Sequence, residues 1–142
     1  MLYQAIYVPE GEPALPRDVV RIPEIRIYAE GWGKPDDTGY VAVVDRKPVG
    51  AAWLRLLTGE QRGFGYVDDI TPELSIALLP GYRNRGIGSL LLKHLLEQVK
   101  TRYSAICLSV SEGNPAIHLY HRLGFEVVNR THDSYTMLKR WG

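Results

Sequence analysis

The sequence predicts a mixed α/β sandwich, a mostly antiparallel sheet with helices on both faces. Three features predict it. Apolar runs at residues 40–44 and 49–57 are joined by a short polar turn, Asp45-Arg46-Lys47-Pro48, which makes them an antiparallel hairpin. A strand–helix–strand pattern runs from residue 74 to residue 110, and such a crossover is right-handed and parallel. Residues 125–128 and 134–138 then read as a closing antiparallel hairpin.

The elements follow in order. Residues 2–7 suit a short helix or a strand, because six residues do not resolve the period. Residues 9–16, with three prolines, read as a loop. Residues 17–30 read as a helix broken at Pro23 and ended by Gly31-Trp32-Gly33. After the first hairpin, residues 58–69 form a polar, glycine-bearing loop. Residues 74–79 are a strand stopped by Pro80-Gly81. Residues 86–102 give the clearest helix: Ile87, Leu90, Leu91, Leu95 and Val99 recur at helical spacing, with Lys93, Glu97, Gln98 and Lys100 polar. Residues 105–110 are a strand. Asn114-Pro115 opens a second helix, since Asn is a favoured cap and Pro a favoured first residue. Gly124 closes it.

Bulk properties narrow the function classes. At 142 residues the chain has the length of one domain, enough to bury roughly two thirds of its unfolded surface. A net charge of +1 offers no global attraction to nucleic acid or membrane. No apolar run approaches the roughly 18 residues of a membrane span, and the first residues lack the pattern of a signal peptide, so the expected location is the cytoplasm. Cys107 is the one cysteine, which excludes an internal disulfide; it reads as a small buried strand residue. His94, His118, His121 and His132 are scattered and read as surface residues, with no metal expected.

The stretch that carries chemistry is Leu78-Leu79-Pro80-Gly81-Tyr82-Arg83-Asn84-Arg85-Gly86-Ile87-Gly88-Ser89. A strand ends, a basic glycine-bearing loop follows, and a helix begins. A helix start exposes unpaired N–H groups and the positive end of the dipole. Glycines at 86 and 88 admit a ligand close to the backbone, and Arg83 and Arg85 add charge. The product is an anion site suited to phosphate or pyrophosphate. The loop lacks the ending of a nucleoside-triphosphate loop and the spacing of the dinucleotide fingerprint.

Arg83-x-x-Gly86-x-Gly88 resembles the acyl-CoA-binding motif of the GNAT N-acetyltransferase superfamily. A second signature also resembles that family: Asn114-Pro115-Ala116, then Leu119-Tyr120, then Leu123-Gly124-Phe125. The resemblance covers residues 72–128 in order and spacing. It implies one GNAT-like domain over residues 1–142, with a central splayed parallel strand pair. It also implies acetyl-CoA as co-substrate and transfer of an acetyl group to a small-molecule or peptide amine. Backbone groups of Arg83, Asn84, Arg85, Gly86, Ile87, Gly88 and Ser89 would hold the pyrophosphate. The strand at Leu78 and Leu79 would part from its neighbour at Leu108 and Ser109, and the pantetheine arm would lie in the gap. The side chain of Asn114 would hold the same arm, and Tyr120 would protonate the departing thiolate. Glu73 is the expected general base, with Asp68 and Asp69 as alternatives. Tyr28, Trp32, Trp53 and Tyr135 are candidates for the acceptor pocket.

The chain departs from the family at its start. Residues 2–7 resemble only the end of the family's first helix. The first strand is missing, supplied by a partner, or formed by residues 2–7 themselves. An under-covered sheet edge favours a homodimer. The competing functional reading is an acyl-CoA-binding regulatory or sensor domain without catalysis; another is acyl transfer to a nucleophile other than an amine.

Overall fold

The computed structural model describes residues 37–57, 67–68, 70–83 and 85–141. The readings at residues 2–36 and 58–66, and those at Asp69 and Asn84, lie outside these residues. Among the described residues six strands and two α-helices follow in chain order: β1 (Thr38–Val44), β2 (Lys47–Arg55), β3 (Glu73–Leu78), α1 (Ile87–Val99), β4 (Ala105–Ser111), α2 (Ala116–Arg122), β5 (Glu126–Arg130) and β6 (Ser134–Arg140). The strands form one mixed sheet in the order β1-β2-β3-β4-β6-β5. Among the described strands only the β3–β4 pair is parallel.

The first hairpin is tighter than its sequence suggests. Asp45 and Arg46 alone make the turn, with φ of 50° and 66°. Positive φ at both turn residues matches the twist of the flanking strands. Lys47 and Pro48 therefore belong to β2. Pro48, which has no N–H to give, lies opposite Val43, where the register shifts between Ala42 and Val43.

The core lies on one face of the sheet. Leu91, Leu92, Leu95, Leu96 and Val99 of α1 pack with Ala52, Leu54, Leu74, Ile106, Leu108, Val110 and Met137 from the strands. Tyr120 of α2 and Phe125 belong to the same cluster. The expected stripe on α1 needs one correction. Leu90 is 70% exposed, while Leu92 and Leu96 are buried. At about 100° per residue Leu90 points away from Leu92, and the helix turns the richer face inward. The helix is also shorter than expected, since Lys100 caps it.

On the opposite face Ala51, Trp53 and Ala77 form a smaller cluster. Among the described residues no helix is long and apolar enough to cross a membrane.

Candidate active site

The parallel ladder between β3 and β4 records one partner pair, Glu73↔Cys107. The neighbouring antiparallel ladders run through six or seven pairs, β2–β3 from Gly50↔Leu78 to Arg55↔Glu73 and β4–β6 from Ala105↔Arg140 to Ser111↔Ser134. Beyond Glu73 the two central strands part. The Leu79 N–H donates to the Val49 carbonyl at 2.8 Å, so alternate residues of β3 bond to β2. Ile76 and Leu78 then direct their backbone groups the other way, into the gap left by β4.

The gap leads to the start of α1. A 3-10 turn at Pro80–Tyr82 lifts the chain off β3. Gly86 precedes the helix with φ of 82°, and no side chain caps the first turn. Nor does any acidic residue stand there. A Cβ built at Gly86 would meet nothing within 4 Å, so the approach to the helix start is open. The N–H groups of Ile87, Gly88 and Ser89 are those that an α-helix leaves without an internal partner. Gly88 is buried in α1, where a Cβ would stand 3.4 Å from the Leu78 side chain. Both arginines of the loop fold onto its own backbone. Arg83 Nε donates to the Leu78 carbonyl at 3.1 Å, and Arg85 Nη1 to the Gly81 carbonyl at 3.4 Å. The Arg85 guanidinium also lies 5.4 Å from the centre of the Tyr82 ring.

Asn114 stands on the β4–α2 connection. Its Oδ1 accepts from the Ala116 N–H at 3.0 Å and so caps α2. Tyr120, 7% exposed, packs edge-on against Phe125 with ring centres 6.0 Å apart. Burial pushes its phenol up to about 12, so the hydroxyl keeps its proton throughout the neutral range.

Glu73 is 4% exposed. It lies on the sheet face opposite the core cluster, since its even-numbered neighbours Leu74 and Ile76 point to that cluster. Tyr120, in the core cluster, and Glu73 therefore belong to opposite sides of the sheet. Trp53 shares the Glu73 face, opposite Ser75 on β3. Tyr135 pairs with Val110 and lies on the other face, with the Arg130 guanidinium 5.5 Å from its ring centre. The four expected acceptor-pocket aromatics are thus not gathered: Trp53 and Tyr135 stand on opposite faces, and Tyr28 and Trp32 lie outside the described residues. Asp68 is exposed and held by local hydrogen bonds, its Oδ1 accepting from the Ile70 N–H at 3.0 Å.

Sequence reasoning missed Arg55 and Asp37. Arg55 is 2% exposed and grips Asp37 with two hydrogen bonds, Nε to Oδ1 at 2.9 Å and Nη2 to Oδ2 at 3.2 Å. A charged residue closing an apolar strand was the available signal. Cys107 is fully buried, as expected, and burial followed by the charge of Glu73 pushes its thiol well above the ordinary range. A cavity of about 220 Å³ opens at the far edge of the sheet, lined by Gly124, Glu126, Val128, Leu138 and Arg140; none of the expected site residues lines it. Among the described residues no group of three or more His, Cys, Asp or Glu side chains could hold a metal ion.

Comparison with known proteins places the chain in a family. The profile described as the acetyltransferase (GNAT) family matches residues 2–125. An N-alpha-acetyltransferase of Saccharolobus solfataricus is 36% identical over 99 residues, 63% of this chain and 56% of that protein. The chain thus spans little more than half the length of that relative. Among solved structures, the ribosomal-protein-S18-alanine N-acetyltransferase of Escherichia coli superposes with a TM-score of 0.62 at 23% identity, over 82% of this chain and 76% of that one. A PaiA N-acetyltransferase of Thermoplasma acidophilum, in complex with coenzyme A, gives 0.60 at 22% identity, over 75% and 62%. At these identities the two structures speak for the fold.

Proposed function

The chain belongs to the acetyltransferase (GNAT) family, and from that premise we propose that it moves an acetyl group from acetyl-CoA to a primary amine. The observation that carries the proposal is the single-pair β3–β4 ladder, which opens a gap leading to an uncapped helix start. Residues 83–89 hold the pyrophosphate through the backbone. The gap-facing groups of Ile76 and Leu78 pair with the pantetheine arm as a strand would. Leu79 contributes through its turn, because its own N–H is taken by Val49. Asn114 spends its carbonyl oxygen on α2, so its amide N–H groups are what it offers the arm.

The chemistry needs a base, an oxyanion site and an acid. Glu73 takes the proton of the incoming ammonium, and the neutral amine attacks the thioester carbonyl. Backbone N–H groups at the gap stabilise the oxyanion. Collapse breaks the carbon–sulfur bond, and Tyr120 gives its proton to the departing thiolate. Base and acid on opposite sides of the sheet suit acceptor and coenzyme that enter from opposite sides. Trp53, on the Glu73 face, lines the acceptor side.

The names of the relatives point to a polypeptide α-amine as the first acceptor to try. The test is calorimetry with acetyl-CoA followed by release of free CoA with a panel of amines, peptides with free N-termini first. Binding and turnover are expected. Binding without turnover on any amine would favour the sensor reading, and no binding would overturn both. We also propose a homodimer. Its support is β1, an edge strand among the described residues, which exposes Val41 and Val43 by 59% and 58%.

A further inference from the structure

A line of buried side chains crosses the sheet where the β3–β4 ladder ends. Asp37 leads into β1 and grips Arg55 of β2. Arg55 is the register partner of Glu73 on β3, and Glu73 that of Cys107 on β4. Residues directly opposite on neighbouring strands share a face, with Cβ atoms about 5 Å apart. Arg55 and Glu73 are 2% and 4% exposed, so their charges act on one another with little screening by water. Buried charges persist only when paired and hydrogen-bonded. Arg55 stands between two carboxylates, one already gripped by its fork and the other across the ladder. From Glu73 to Leu78 is five strand steps, about 17 Å. Glu73 therefore sits at the closed end of the gap, and α1 starts at the open end.

We propose that Arg55 is the positioning residue for Glu73. Anchored by Asp37, it keeps the Glu73 carboxylate ionised and turned toward the closed end of the gap, where the amine must lose its proton. The inference rests on the reading of Glu73 as general base. Without Arg55 the buried Glu73 carboxylate would lose the cation across the ladder, and its midpoint would rise. Among the described residues the charged groups near this row include Asp68, in the loop before β3, and Arg140 at the end of β6, which acts on Asp68. Both are exposed.

The decisive measurement is the titration of Glu73 itself, followed by carbon-13 NMR of the labelled carboxyl carbon and assigned by its loss in Glu73→Gln. In Arg55→Gln the midpoint should rise by about 1–3 pH units. In Asp37→Asn, which removes the competing negative charge and keeps the side chain's shape, it should fall. If Arg55→Gln does not fold, Asp37→Asn alone decides. A Glu73 midpoint that stays in place in the folded variants overturns the inference. The acidic limb of kcat/KM for acetylation of a peptide with a free N-terminus should move in step with the midpoint. Full turnover in Glu73→Gln, with the NMR shifts present, would instead overturn Glu73 as base and leave the row a structural one.

Discussion

Tyr120 is the residue on which the proposed chemistry turns, and it makes two predictions. Tyr120→Phe keeps the ring and its edge-on contact with Phe125 and removes only the proton. Turnover should fall by roughly 10²–10⁴-fold, while acetyl-CoA affinity by calorimetry stays nearly constant, because the hydroxyl acts in the transition state. Full turnover in the variant would return Tyr120 to a packing role. The second prediction concerns stability in alkali. Tyr120 is raised by burial to about 12 from an ordinary value of 10.0. A raised pKa means stability that is complete below pH 10 and lost as pH climbs through 12, since the unfolded chain gives up the proton first. Two units correspond to about 3 kcal/mol. Urea unfolding at a series of pH values should show that loss in the wild type and a smaller one in Tyr120→Phe. Cys107 adds a similar loss to both proteins and cancels in the comparison. The proposal of Tyr120 as the acid came from the resemblance. Its burial was not legible there, because the core cluster that encloses it includes residues distant in sequence, such as Leu54 and Leu74.

At the scale of elements, the junction of β3 and α1 separates local from tertiary causes. Gly86 takes φ of 82°, which side chains adopt only with strain, although the space around it is open. Gly86→Ala should cost about 1 kcal/mol or more in chemical denaturation, with acetyl-CoA affinity changed little. Gly86→Glu adds a carboxylate that competes with an incoming pyrophosphate for the positive helix start, and affinity should drop at least tenfold. Equal affinities for the two variants would count against the anion site. On the inner face of α1, Leu92→Ala removes a side chain with no exposed surface and should cost 2–5 kcal/mol, read by the same denaturation. Leu90→Ala, at 70% exposure, should cost little. A helix carrying leucines at 90, 91, 92, 95 and 96 admits more than one inward face, and only packing against Ala52, Leu54 and Ile106 selects one.

At the scale of the whole molecule, the question is how the sheet ends. β5 carries a register shift between Val127 and Asn129 and the charges Glu126 and Arg130, features that discourage pairing with another chain. β1 lacks charges from Thr38 to Val44 and exposes two valines. If copies meet along that strand, light scattering should report a dimer, and Val41→Lys with Val43→Lys should convert it to a monomer that still binds acetyl-CoA. A wild-type monomer at high concentration would overturn the proposed assembly.

Local chemistry was enough to determine much of this protein. The period of residues 86–102, the polar turn after Val44, the glycine at 86 and the Asn114-Pro115 start each act within a few residues, so the order of the described elements can be read directly. The parallel crossover followed from chain handedness. Three things were decided only in three dimensions. The register of β2 on β3 set Arg55 against Glu73, two residues 18 positions apart. The alternation along β2, β3 and β6 put Glu73 and Trp53 on the face away from the core cluster and Tyr135 on the other. The fork of Arg55 reached back to Asp37 across the first hairpin. Each depends on which strands pair and where they stop pairing. That choice is made by the burial of the whole core at once, and no single stretch of chain contains it.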